Sequence, residues 1–273
     1  RNSGRPVAVT SIDVGTTTPE FEKLMGSPAA ASPAAAAALA RRFATRPLMR
    51  SRRPDPADAQ PLTFRFGLAG LRWGSEGPVV LALHGWEGRA AQFQPLASRL
   101  VPLGFQVVAL DAPAHGRSPG READPVVFAD ALQEAAAELG DVHAVVGHSM
   151  GGASVLYALS RGLGSARRVA IAAPAGLAGV LSRMSQFLGL RESARRRFFE
   201  AMTRRTGVAP ELLDIDQLAP AQPPGELLVV HDMDDPVIPF ADAERIAGAT
   251  RAQLLATRGL GHRAVLKDAA VLD

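Results

Sequence analysis

Val145-Val146-Gly147-His148-Ser149-Met150-Gly151-Gly152 is the stretch on which the reading of this chain turns. It is a Gly-x-Ser-x-Gly motif set directly after a short apolar run and before a helix-length segment, the context in which that motif carries meaning. The physical argument is steric. A serine held in a tight turn between strand and helix projects its hydroxyl above the end of the strand, and side chains at Gly147 and Gly151 would collide with neighbouring backbone. The first amides of the following helix favour developing negative charge. Ser149 is therefore a candidate nucleophile; the competing reading is a glycine-rich packing turn.

Outward from this motif the chain repeats one texture. Short continuous apolar runs occur at Val79-Val80-Leu81-Ala82-Leu83, Val107-Val108-Ala109-Leu110 and Ala144-Val145-Val146, and again at Val169-Ala170-Ile171-Ala172, Leu227-Leu228-Val229-Val230 and Leu254-Leu255-Ala256. Strands without polar alternation are buried on both faces, as in a parallel sheet. Helix-length segments such as Gln92 to Leu103 and Asp124 to Leu139 lie between them. Strand and helix in alternation predict an α/β fold with a mostly parallel, doubly wound sheet. Leu62 to Gly67 and Leu71 to Gly74 instead alternate with a period of two, which predicts an antiparallel pair at a sheet edge.

Two regions depart from the repeat. About residues 175–225 separate two of the apolar runs, far more than one crossover helix needs, and Leu177 to Leu190 and Glu192 to Thr206 read as amphipathic helices. We read this insertion as a small helical cap. Residues 1–60 are rich in Ala and Pro and show no strand rhythm; Pro33 to Phe43 is helix-prone, and Pro54-Asp55-Pro56 breaks it. The expectation is an N-terminal arm lying on a main domain of residues 61–273. A membrane-surface helix is the alternative, but an alanine face buries too little area to anchor well.

Composition narrows the function. With 30 Lys and Arg against 27 Asp and Glu the net charge is only +3. Lys23 and Lys267 are the only lysines, and the arginines are scattered, so no basic stripe or motif for nucleic acid is present. No apolar stretch is long enough for a transmembrane segment. Zero cysteines exclude disulfides, a thiol nucleophile and thiolate metal sites, and agree with a reducing, cytoplasmic setting. No His and carboxylate spacing points to a metal and no glycine-rich loop to a nucleotide, so no cofactor is expected.

Further motifs carry a resemblance. His84-Gly85-Trp86 follows the third strand, Asp111-Ala112-Pro113-Ala114-His115-Gly116-Arg117-Ser118 follows the fourth, and His231-Asp232-Met233-Asp234-Asp235-Pro236-Val237 and Gly259-Leu260-Gly261-His262 follow the last two. From Val79 to His262 the chain resembles the α/β-hydrolase superfamily, esterase- and lipase-like, with motifs in the family's order of serine, acid, histidine. Ala114 stands where the family usually has glycine. The resemblance implies the α/β-hydrolase fold with a cap, and a Ser-His-Asp triad. Serine at 149 argues against the dehalogenases and epoxide hydrolases of this fold, which use aspartate there.

A serine hydroxyl needs a base, and imidazole suits the task. Of six histidines, His262 alone combines a place after the last strand with a glycine-rich approach. His84 is expected to order a loop, His148 to fill the motif's variable position, and His143, His115 and His231 to be structural. Asp232, Asp234 and Asp235 all follow the seventh strand; the resemblance places the acid before Pro236, hence Asp235, with Asp234 as the alternative. After strand six the sequence Ala172-Ala173-Pro174 offers no acid. The resemblance also implies an oxyanion hole from the backbone N–H groups of Trp86 and Met150, supported by His84, Gly85, Gly147 and Gly151.

The expected activity is cleavage of a carboxylic ester, or related acyl bond, in a small molecule through an acyl-enzyme. A thioesterase, acyltransferase, carbon–carbon hydrolase or peptidase would use the same triad, and a non-catalytic ligand-binding protein of this fold is the alternative from another class. Arg191, Arg195, Arg196, Arg197, Arg204 and Arg205 in the cap read either as an attraction for an anionic substrate such as an acyl-CoA or as a solvated helix face.

Overall fold

A computed structural model describes residues 32–50, 54–222 and 226–273; the expectations for residues 1–31 lie outside these. Eight strands form one sheet: β1 (Gln60–Thr63), β2 (Ala69–Trp73), β3 (Val79–Leu83), β4 (Gln106–Leu110), β5 (Val142–His148), β6 (Arg167–Ile171), β7 (Glu226–Asp232) and β8 (Gln253–Thr257). Their order is β1-β2-β4-β3-β5-β6-β7-β8. β2 runs antiparallel to both its neighbours, and every pairing from β4 to β8 is parallel. This is the α/β-hydrolase fold anticipated above.

The period-two pattern gives the β1–β2 hairpin, with Leu62 opposite Gly70. The strand ends earlier than its pattern, because residues 64–67 make the turn: Phe64 accepts from the Gly67 N–H at 2.8 Å, and Gly67 takes a left-handed φ of 76°.

Among the described residues seven longer helices accompany the sheet: α1 (Pro33–Thr45), α2 (Gln94–Leu100), α3 (Pro125–Leu139), α4 (Met150–Ser160), α5 (Leu177–Phe187), α6 (Glu192–Thr206) and α7 (Phe240–Thr250). α3 starts where its sequence says it should, with the Asp124 carboxylate accepting from the Val126 and Val127 N–H groups and Pro125 in the first turn. α2 is shorter than the expected Gln92 to Leu103, since tighter 3₁₀ turns flank it on both sides.

The apolar runs split by parity. Leu81 and Leu83 pack with Phe128 and Leu132 of α3, whereas Val80 and Ala82 pack with Phe93, Ala97 and Val265 on the other face. Each large side chain so buried is worth roughly 1.5–3 kcal/mol. β8 departs from the expectation of two buried faces. As the edge strand it leaves Leu254 and Leu255 half-buried and Gln253 and Ala256 exposed.

The insertion after β6 forms α5, α6 and three short helical turns, Pro210–Leu213, Ile215–Leu218 and Ala219–Ala221. Its core joins Leu181 of α5 to Phe198 and Met202 of α6, and it includes Ala37 and Ala40 of α1. The alanine-rich helix is thus packed on the cap, chiefly along α6.

Candidate active site

β5 ends at His148, and Ser149 follows at φ 54° and ψ −124°, a conformation that side chains rarely adopt. The strain is held by crowding. A Cβ on Gly147 would stand 2.5 Å from the Gly151 carbonyl oxygen, and one on Gly151 would stand 2.3 Å from that of Leu83. Both glycines are needed for the reason the motif predicts. A Cβ on Gly85 would stand 2.6 Å from the Ser149 Cβ, so the loop after β3 lies close against Ser149.

The structure brings Ser149, His262 and Asp235 together. The Ser149 hydroxyl donates to His262 Nε2 at 3.0 Å, and His262 Nδ1–H donates to Asp235 Oδ2 at 2.7 Å. Asp235 Oδ1 accepts from the N–H groups of Val237 and Ile238 at 2.8 and 3.0 Å. Burial pushes the Asp235 carboxyl upward, but hydrogen bonding to His231 and His262 outweighs it and holds the group well below the usual carboxylate range. The carboxylate is therefore anionic and able to fix the imidazole tautomer.

The other two aspartates hold the loops together. Asp232 Oδ2 accepts from the Thr257 hydroxyl at 2.7 Å and the Leu260 N–H at 3.0 Å, and Asp234 Oδ2 accepts from the Gly259 N–H at 3.0 Å. Asp234, the alternative acid, is thus engaged with the backbone that leads to His262.

Met150 opens α4, so its N–H has no carbonyl within the helix to bond. Trp86 and Met150 both line the cavity that Ser149 faces. His84 orders the Trp86 loop: its Nδ1–H donates to the Gly85 carbonyl at 2.7 Å and its Nε2 accepts from the Ala112 N–H at 3.0 Å. That pattern requires a neutral ring, and burial, followed by the neighbouring His115, lowers its pKa to about 3. His115 sits between Trp86 and Phe128, with its ring centroid 5.2 Å from each.

His148 has a role its sequence position did not signal. It is only 3% exposed, its ring lies 4.9 Å from that of His262, and its Nε2–H donates to the His262 carbonyl at 2.8 Å. The motif tolerates any residue there, so only the fold reveals this brace under the histidine loop.

The cavity holds about 190 Å³, and its walls are mostly apolar. Leu177, Val180, Met184 and Phe187 of α5 line it, with Met202 of α6 and Ile238 of the acid loop. None of the six cap arginines named above borders it. Arg205 is paired with Glu122 and Asp124, and Arg191, Arg195, Arg196 and Arg197 face solvent. The arginine on the lining is Arg183, whose guanidinium donates to Asp242 at 3.0 Å. Among the described residues no group of three or more metal-ligating side chains stands together, and no helix is long and apolar enough to cross a membrane.

A mostly parallel sheet with a strained serine at the end of its central strand and a histidine beside it is the architecture of the α/β-hydrolase class. Residues 79–273 match the family model described as "Alpha/beta hydrolase family", and the chain belongs to that family. It is 38% identical over 91 residues to a serine hydrolase-like protein of Danio rerio, covering 31% of this chain and 28% of that one. It is 37% identical over 91 residues to a serine hydrolase-like protein of Homo sapiens, covering 31% and 44%. The chain thus spans less than half the length of these relatives.

Among solved structures it is similar to a thioesterase domain from the curacin biosynthetic pathway, with TM-score 0.56, 21% identity, and 78% and 95% of the two chains covered. An esterase of Pyrococcus furiosus matches with TM-score 0.59 and 17% identity over 82% and 90%. A bromoperoxidase of Bacillus anthracis matches with TM-score 0.59 and 17% identity over 78% and 96%. Three different activities at such identities make this a likeness of fold alone.

Proposed function

We propose that the protein is a serine hydrolase that cleaves a carboxylic ester through an acyl-enzyme on Ser149, with His262 as general base and Asp235 as the orienting acid. The observation that carries this reading is the unbroken hydrogen-bond chain from Ser149 Oγ through His262 to Asp235. As Oγ bonds to the carbonyl carbon, His262 Nε2 takes its proton, and the imidazolium is stabilised by the Asp235 carboxylate. The carbonyl oxygen becomes an oxyanion received by the N–H groups of Trp86 and Met150, a kind of contact worth about 10²–10³ in turnover per donor. Collapse breaks the bond to the alcohol oxygen, which leaves with the proton from His262. Water then attacks the acyl-enzyme by the same steps and releases the carboxylic acid and free Ser149.

Thioesters, acyl transfer to an alcohol and carbon–carbon cleavage would run on the same groups. An apolar cavity beside Ser149 supports a hydrocarbon acyl or alcohol portion. The test is turnover of p-nitrophenyl acyl esters together with labelling by a fluorophosphonate probe, both expected to vanish in Ser149→Ala. An intact protein that neither turns over esters nor takes the label would overturn this reading in favour of a non-catalytic binding protein.

A further inference from the structure

Residues 33–45 precede the part of the chain matched to the family, yet α1 is built into the site. Ala37, Ala40 and Ala44 fall at helical spacing on one side, and small side chains there let α1 approach the cap closely. Its attachment is polar as well as apolar. Glu122, just before α3, binds Arg41 at 3.3 Å and Arg46 at 2.8 Å from α1's end, and Arg205 of α6 at 2.8 Å. The Ala123 N–H donates to the Thr45 carbonyl at 2.7 Å. Beyond the helix, the Leu48 N–H donates to Glu87 Oε1 at 2.7 Å, next to Trp86 in the loop after β3. Held in this way, Phe43 and Ala44 form part of the wall of the cavity that contains Ser149.

From this placement we infer that α1 is a specificity element, with Phe43 and Ala44 limiting an unbranched alkyl chain on the substrate; this rests on the hydrolase reading above. The lining supplies the chemical class. Its cap side is aliphatic and aromatic, and the one guanidinium on it is already paired with Asp242, so the wall favours a neutral hydrocarbon. α1 sets where the chain must stop.

The test is a series of p-nitrophenyl esters from acetate to dodecanoate, read as kcat/KM ratios within each protein. Phe43→Ala is expected to raise the dodecanoate-to-acetate ratio by about tenfold, and Ala44→Leu to lower the octanoate-to-acetate ratio by a similar factor. Ratios within about twofold of the parent in both variants, with melting temperatures preserved, overturn the role of α1. Fluorophosphonate labelling separates the two readings: a labelled Ser149 with unchanged ratios sinks the helix and leaves the triad standing. If Ser149 takes no label, the wall is read by binding instead, as quenching of tryptophan emission by decanoic acid in Ser149→Ala. Phe43→Ala should tighten that binding at least about threefold, and unchanged binding sinks the inference.

Discussion

Asp234 and Asp235 are adjacent in sequence but differently placed, and exchanging their charges one at a time separates their roles. Asp235 touches His262, and with a carboxamide there the imidazole is no longer held in the correct tautomer. Asp235→Asn is expected to lower kcat by about 10⁴, the scale seen when a triad acid is neutralised, with little change in fold. Asp234→Asn removes the charge that faces Arg258 at 3.7 Å but keeps an amide oxygen able to accept from the Gly259 N–H, and should cost less than about tenfold. Equal losses in the two variants would reassign the acid. Ala114 offers a test of backbone strain: it sits at φ 66°, and its methyl is fully buried. Ala114→Gly relieves about 1–2 kcal/mol of left-handed strain. It forfeits about 0.8 kcal/mol of buried methyl and the lower unfolded-state entropy of alanine. The variant should therefore lie within about 1 kcal/mol of the parent in urea denaturation, and a loss above about 2 kcal/mol would show that the methyl's packing dominates.

At the scale of elements, α1 depends on a carboxylate. Arg46 beside Glu122, with Arg41 and Arg205 nearby, holds the Glu122 carboxyl below its ordinary value. A depressed folded pKa contributes stability that is present above the unfolded value and is lost as pH falls through the folded one. Glu122→Gln should mimic the acid form. Tryptic cleavage after Arg41 and Arg42 is expected to quicken several-fold at neutral pH while the sheet's melting temperature moves only slightly, since exposed pairs are individually weak. Cleavage at the parent rate would mean that the alanine packing alone holds the helix. The sequence foretold the central strands, α3 and α6 because each carries its own period, cap or apolar face. The grouping of Ser149, Asp235 and His262 was legible because the elbow glycines, the acid before Pro236 and the final histidine each sit in a motif. The place of α1 was illegible: alanines at 37, 40 and 44 have no strong preference for any partner, and only the facing residues of α6 select one. The bracing by His148 was hidden likewise, since its contact is made 114 residues away.

Across the whole molecule three buried histidines share one direction of response to acid. Burial lowers the pKa of His84 to about 3 and of His115 to about 4, and it lowers His148 to about 3 with the neighbouring His262 adding to it. All three are neutral in the folded protein, whereas the unfolded chain takes up protons below about pH 6.5. The unfolded state then binds more protons, so stability rises with pH across this window and falls on acidification from about 6.5 towards 4. Each ring contributes up to about 1.4 kcal/mol per pH unit. The urea midpoint should therefore drop sharply between pH 7 and pH 5. A flat midpoint would mean that these rings are charged in the native protein.

The cap's interior joins Ala37 and Ala40 to Phe198 and Met202, segments separated by most of the chain's length. Closing so long a loop is entropically costly until the strands between have formed, so α1 must wait for α6 before it has anything to dock against. Folding should thus end at the entrance to the site, with amides of β5 protected from deuterium exchange before those of α1 in a refolding time course. On a ribosome, a helix made before the strands of this sheet would be among the last elements to settle.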